Sequence, residues 1–418
     1  MSLTNTITTL GGSGSTATVS RIFTARQVGS PKPAHWVDDE GTSFQNPWPS
    51  WYTWSTMEKL QLLFEFASSM PKVPKDIDSK MVVHKPQFKP DHERLRVNWL
   101  GHACFLLELP ARSSIGKTAL DRPERGIRIL FDPVFSERCS PFSFWGPKRY
   151  TPPPCRVEEL PEIDAVVISH NHYDHLDAPT LRALFERGHK PHVFAPLGNE
   201  KLITSFGLPA SHCHTADWWD TYRMRVSIPA SSNKAQDKPD DAVHKLCVDF
   251  TATPCQHQTA RGPFDMFKTL WSSWAIREVF PDDISGADGS ATTGKTVFFT
   301  GDTGYRNVGP GQKEDEVPTC PAFREAGEKF GGFDLALIPI GAYEPRRFMS
   351  TVHCAPQDSV MLFKDLRAKK ALGMHWGTWM LTCEDVLDPP ERLKAECAKV
   401  GVEEGRFVPC ELGENLYY

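Results

Sequence analysis

His170-Asn171-His172-Tyr173-Asp174-His175 sets three imidazoles and a carboxylate side by side, directly after an apolar run at residues 163–169. Such a cluster is a poor structural device. Buried, its members are costly polar groups; exposed, they gain nothing from being together. As metal ligands they make sense. Alternate residues at a strand end point the same way, so His170 and His172 can grip one ion. The turn that follows brings Asp174 and His175 round to a second. A two-ion site needs more donors than one segment holds. Three other polar residues stand in the same setting of strand, donor and turn. These are His257 after residues 246–253, Asp302 after 295–300 and His375 after 371–374.

Donors spread from 170 to 375 must converge, so that span is one domain. With 418 residues, 40% of them hydrophobic, the chain can bury a sizeable core. Apolar patterning predicts strands at 95–108, 127–131, 163–169, 193–196, 224–228, 246–253, 296–300, 335–340 and 371–374. It predicts helices at 179–187, 199–205, 320–329, 355–366 and 390–400. Two β-rich halves alternating with helices suit an α/β fold of the αββα sandwich type, with sheets face to face and helices outside. A net charge of −5 and a pI near 6.3 give no pull toward nucleic acid, and no basic stripe suggests a nuclease. The 11 cysteines lack C-x-x-C spacing and follow no secretory signal, so reduced thiols in an intracellular compartment are expected. No apolar run approaches the ~20 residues of a membrane span.

Residues 1–30 are rich in Ser, Thr and Gly, and a disordered tail is expected through about residue 40. Arg21 and Arg26 without any acidic neighbour leave a mitochondrial address open, against which the helical amphipathicity is poor. Residues 41–93 read as an extension carrying one helix, 55–70. Leu60, Leu63, Phe64 and Ala67 recur at helical spacing, and Leu62 and Phe66 widen the face. Ser55 and Glu58 form a capping box, and Pro71 ends the helix. Its apolar face either packs on the domain or docks on a lipid surface.

The order of the donors resembles the metallo-β-lactamase superfamily. Further motifs resemble one branch of it, the N-acyl-phosphatidylethanolamine-hydrolysing phospholipase D family. They are Phe44-Gln45-Asn46-Pro47-Trp48-Pro49-Ser50-Trp51, Trp99-Leu100-Gly101-His102-Ala103 and Asp132-Pro133-Val134-Phe135-Ser136. Gly146-Pro147-Lys148-Arg149, Asp217-Trp218-Trp219, Gly301-Asp302-Thr303-Gly304-Tyr305 and Gly341-Ala342-Tyr343-Glu344-Pro345-Arg346 continue the series. The match runs from about Phe44 to the C-terminus. The chain departs from the family at Gln258, where an aromatic is common, and in polar insertions at 231–243 and 282–294.

The resemblance implies a hydrolase domain over 94–418 that holds two zinc ions, with iron or manganese also acceptable to such donors. One ion is expected on His170, His172 and His257, the other on Asp174, His175 and His375, with Asp302 bridging. A hydroxide held between the ions would attack phosphorus in line and expel N-acylethanolamine, leaving phosphatidic acid. Asp174, Asp302 and His353 are the expected catalytic residues, His353 by steadying a phosphoryl oxygen or protonating the leaving group. Asp132 and His102 are expected to orient ligands, and Tyr343 and Arg346 to contact substrate. Trp218, Trp219, Trp271 and Trp274 read as core. A phospholipid substrate and peripheral membrane contact are the expected partners, with a homodimer left open. A lactonase or amide hydrolase on the same scaffold is the alternative, and a non-catalytic metal protein a third reading.

Overall fold

The computed structural model describes residues 7–10, 15–26, 29–112, 123–229, 243–280 and 293–418. The first half contains β1 (Ile7–Leu10), β2 (Thr16–Phe23), α1 (Thr56–Ser69), α2 (Ile77–Lys80), β3 (Arg96–Gly101), β4 (Cys104–Glu108) and β5 (Arg128–Phe131). It continues with β6 (Ala165–Val167), α3 (Ala178–Glu186), β7 (His192–Pro196), α4 (Glu200–Thr204) and β8 (Cys213–Ala216). The second half contains β9 (Thr221–Pro229), β10 (Val243–Thr253), β11 (Ser273–Val279), β12 (Thr293–Phe299), α5 (Ala322–Phe330) and β13 (Phe333–Pro339). It ends with α6 (Arg346–Met349), α7 (Pro356–Asp365), β14 (Ala368–Met374), α8 (Asp388–Lys399), β15 (Phe407–Pro409) and β16 (Asn415–Tyr417).

Two sheets result. One runs β1-β2-β9-β10-β11-β12-β13-β14-β15, the other β16-β3-β4-β5-β6-β7-β8. Side-chain alternation explains why they stack. In β12 and β13, Val297, Phe299, Leu335 and Leu337 face the space between the sheets, where they meet Phe105, Phe131, Val167 and Phe194. Phe298, Ala336 and Ile338 face the other way and are covered by Phe323 of α5, Val360 and Phe363 of α7 and Leu393 of α8. On the second sheet Leu130, Val166, Ile168 and Val193 are covered by Leu181, Leu184 and Phe185 of α3 and Ile203 of α4. This is the αββα sandwich. Each fully buried Leu or Phe contributes roughly 1.5–3 kcal/mol of transfer free energy, so the three apolar layers supply the main driving force.

Several expectations change. Residues 95–108 are not one strand but a hairpin, because Gly101 (φ +107°) and His102 (φ +54°) turn the chain back in left-handed conformations. The segment 16–23, expected to be disordered, is a strand paired to β9. Its Ala17 and Val19 are buried in the inter-sheet core, a period-two pattern hidden among Ser and Thr. Further on, Trp36 is buried and His35 is hydrogen-bonded to Asp217 at 2.6 Å, so the extension is fastened well before residue 40. Residues 1–6 and 11–14 lie outside the described residues, as do nearly all of the insertions at 231–243 and 282–294.

Helix α1 has the expected capping box. The Ser55 hydroxyl accepts from the Glu58 amide, and Glu58 accepts from the Ser55 amide at 2.8 Å. None of its residues is buried, with Leu63 64% and Phe64 76% exposed. The packing alternative for this face therefore gives way to an unpartnered apolar surface.

Candidate metal centre

The donors come from loops at the ends of four strands, β6, β10, β12 and β14. Residues 170–175 follow β6. The amides of His175 and Leu176 both donate to the His172 carbonyl, at 3.1 and 2.9 Å, and this tight turn swings Asp174 and His175 back toward His170. Arg261 fixes the turn from outside by donating to the carbonyls of Asn171 (2.7 Å) and Leu176 (2.9 Å). Asp302 follows β12. Gly301 (φ +61°) lets that loop press on the β6 end, since a Cβ there would stand 2.4 Å from Ser169 Cβ. His375 follows β14 with φ +63°, its amide donating to the His102 carbonyl at 3.0 Å. Asp132, after β5, also has a positive φ (+35°). Three non-glycine residues in this rare region, His102, Asp132 and His375, hold strained backbone around one spot, as functional sites do.

The imidazoles and carboxylates converge. His170 Nε2 lies 2.8 Å from His172 Nδ1, with His257 in the same group. Asp302 Oδ2 stands between the two halves. It is 3.1 Å from His175 Nε2, 3.0 Å from His375 Nε2, 3.9 Å from His170 Nε2 and 3.8 Å from His257 Nε2. Asp174 Oδ2 is 3.5 Å from His175 Nε2 and 3.6 Å from His375 Nε2.

These residues suit metal ions. The facing nitrogens of His170 and His172, 2.8 Å apart, are close enough to reach one cation together. His257 Nε2 and Asp302 Oδ1 are buried without any hydrogen-bond partner, an arrangement that costs energy unless something binds there. Charge agrees. Despite burial, which favours the neutral form, His175 and its neighbours hold Asp174 and Asp302 well below the usual carboxylate range. Burial and adjacent imidazoles push His170 well down, leaving a neutral donor. His375, which burial alone would lower, is held up to about 9 by Asp302 and Asp174. The pocket is built for positive charge beside its carboxylates.

Two further residues stand against the cluster. Asp132 Oδ2 accepts from His175 Nδ1 (2.6 Å) and from the Ser169 hydroxyl (2.5 Å), which locks the His175 ring. His102 Nε2 stands 2.9 Å from Asp174 Oδ2. His102 lies close enough to count among the donors, but that short contact makes it a brace for Asp174. His353 faces the same space. Its Nδ1 is 3.9 Å from Asp302 Oδ2, its ring 5.2 Å from the rings of His257 and His375, and burial lowers its pKa to about 4.

Tyr343 and Arg346 are not brought to the cluster. Tyr343 is fully buried with its hydroxyl bonded to Asp388, and Arg346 pairs with Glu314 (2.8 Å) and Asp358 (2.7 Å). Each polar group has its partner inside the fold, and neither side chain belongs to the donor cluster. Trp218, Trp271 and Trp274 are buried as expected, and Trp219 is partly so. Sequence reasoning missed Arg261, Thr378 and Trp379. Thr378 Oγ1 accepts from the His102 amide at 2.8 Å, and the Trp379 ring packs edge-on against His102 at 5.0 Å. Only the nearness of Thr378 and Trp379 to His375 offered a signal.

A family model described as a β-lactamase superfamily domain matches residues 127–376, so the fold is that of a metallo-β-lactamase superfamily hydrolase, a fold that implies metal ions. The chain is 33% identical over 384 residues to N-acyl-phosphatidylethanolamine-hydrolyzing phospholipase D 1 of Caenorhabditis elegans, covering 90% of this chain and 92% of that one. It is 28% identical to the yeast mitochondrial protein of the same name, covering 89% of this chain and 75% of the other. An uncharacterized Mycobacterium tuberculosis protein is 31% identical over 80% of this chain and 71% of its own length. Within the superfamily, the chain belongs to the N-acyl-phosphatidylethanolamine-hydrolysing phospholipase D family.

Proposed function

We propose that this protein is a zinc-dependent phosphodiesterase that cleaves N-acyl-phosphatidylethanolamine to N-acylethanolamine and phosphatidic acid. The observation that carries the reading is the family match over nine-tenths of the chain with the whole donor set converging inside it. His170, His172 and His257 would hold one zinc ion, Asp174, His175 and His375 the other, and Asp302 both. When bound, the ions supply a water of lowered pKa and polarise the phosphoryl oxygens. The chain does the rest. Asp132 and His102 fix the orientation of His175 and Asp174. His353, neutral at pH 7 because burial depresses its pKa to about 4, donates a hydrogen bond to the phosphoryl oxygen as charge develops there.

The substrate's home is a bilayer, and two exposed apolar elements support docking there. Helix α1 presents Met57, Leu60, Leu63 and Phe64. It is tied toward the His353 loop by Glu65–Arg347 (2.5 Å) and by the Tyr52 amide on Thr351 (3.1 Å). A loop presents Phe142, Phe144 and Trp145, and its base is held by Trp379 donating to the Glu137 carbonyl at 3.2 Å, beside His102. Each is thus linked to a segment next to a residue of the cluster, His353 or His102, which supports the reading of a peripheral protein. No described helix is long and apolar enough to cross a membrane.

The test is hydrolysis of N-acyl-phosphatidylethanolamine in mixed micelles with zinc measured on the same sample. Release of both products, lost with chelator and restored by zinc, is expected. Two zinc ions per chain with no lipid turnover would overturn the substrate and point to a lactonase or amide hydrolase.

A further inference from the structure

The motif Phe44-Gln45-Asn46-Pro47-Trp48-Pro49-Ser50-Trp51 lies far from the donors in sequence, yet it touches them. The Asn46 carboxamide grips both backbone polar atoms of His257. Its Nδ2 donates to the His257 carbonyl at 2.7 Å, and its Oδ1 accepts from the His257 amide at 3.2 Å. This two-point contact mimics one rung of a β-ladder and fixes both position and direction of the His257 backbone. The ring is fixed as well, since His257 Nδ1 stands 2.9 Å from the Val352 carbonyl, leaving Nε2 to face the cluster.

The preceding residue, Gln256, extends the clamp. Fully buried, it accepts from the Ser50 hydroxyl (2.6 Å) and donates to the carbonyls of Ser50 (3.2 Å) and Thr351 (2.9 Å). Its backbone joins the Asp302 loop, the amide donating to Thr303 Oγ1 (2.9 Å) and the carbonyl accepting from the Gly304 amide (2.7 Å). One glutamine thus ties the N-terminal extension to the segments carrying His257, Asp302 and His353.

We propose that Asn46 is a positioning residue for the His170–His172–His257 half of the metal centre, with Ser50 and Gln256 anchoring the same segment. The extension is then part of the active site, although it supplies no ligand. The proposal rests on His257 being a metal ligand, as argued under Proposed function, but not on the identity of the substrate.

Asn46 is only partly buried, so Asn46→Ala should fold. Zinc retention is measured by chelator competition on the full chain, with His257→Ala and His375→Ala marking loss from each half. Cobalt(II) spectra of the same variants give the fingerprint of each half. Asn46→Ala should bind one of the two zinc ions about tenfold more weakly, the low end of what loss of an outer partner costs. The ion lost should be the one that His257→Ala loses, kcat should fall more than KM rises, and excess zinc should restore turnover. Asn46→Gln, which keeps the amide but shifts it by a methylene, should show the same one-sided loss with an unchanged metal-free melting temperature. Wild-type zinc retention in both variants, equal weakening of both ions, or lost turnover with zinc retained would each overturn the proposal. If His257→Ala itself keeps both ions, the ligand assignment is what fails, and that outcome is read without any substrate.

Discussion

At the scale of single residues, the centre depends on donors whose orientation is set by groups that bind nothing themselves. His172→Ala or Asp174→Asn should abolish turnover while circular dichroism stays native, because each removes a donor from a loop and leaves the apolar layers intact. Asp132→Asn is subtler. It keeps volume, but the carboxylate uses two acceptor oxygens, Oδ1 for the Ser169 amide and Oδ2 for the Ser169 hydroxyl and His175 Nδ1, and an amide offers only one. Zinc should bind about 10- to 100-fold more weakly on the Asp174–His175–His375 side, measurable by competition with a chelator. Native affinity in that variant would mean the His175 ring is held by its packing alone. The H-x-H-x-D-H run stood out because its residue types make little sense as structure, whereas His257, Asp302 and His375, each ordinary alone, stood out only through their order behind it and the resemblance that order carries. The partners of Tyr343 and Arg346 were not legible, because a polar side chain in a motif shows no sign of the partner that will claim it.

At the scale of elements, helix α1 shows how far periodicity goes. Its boundaries, cap and apolar face could be read from spacing, since capping and the 3.6-residue repeat are local properties. Whether that face was covered could not, because the answer lies in what the rest of the chain places against it. Leu63→Glu with Phe64→Glu should weaken activity on vesicles more than on a short-chain soluble analogue and leave the melting temperature unchanged. Equal loss on both substrates would remove docking from the account of this helix. The hairpin of β3 and β4 makes the converse point. Its residues all read as strand, and only the left-handed turn at Gly101 and His102 divides them.

At the scale of the whole molecule, the ends of the chain complete both sheets. β2 extends one at β9, and β16 closes the other beside β3. Val19→Asp should destabilise the protein by several kcal/mol, because it buries an unpaired charge between the sheets. An unchanged melting temperature would show that β2 is dispensable to the core. Removing metal should lower the melting temperature by mass action, since the donors belong to loops that only the folded chain brings together. The sequence by itself determined the class of fold and most elements and singled out the donor set proposed here, because apolar period and residue type are written residue by residue. The tertiary structure alone decided which arginine was already paired and that a Ser/Thr-rich segment is a strand. It alone decided that Asn46 grips the backbone of His257, more than two hundred residues away. Those outcomes depend on contacts between distant segments, and the energy of such a contact exists only once the fold has closed.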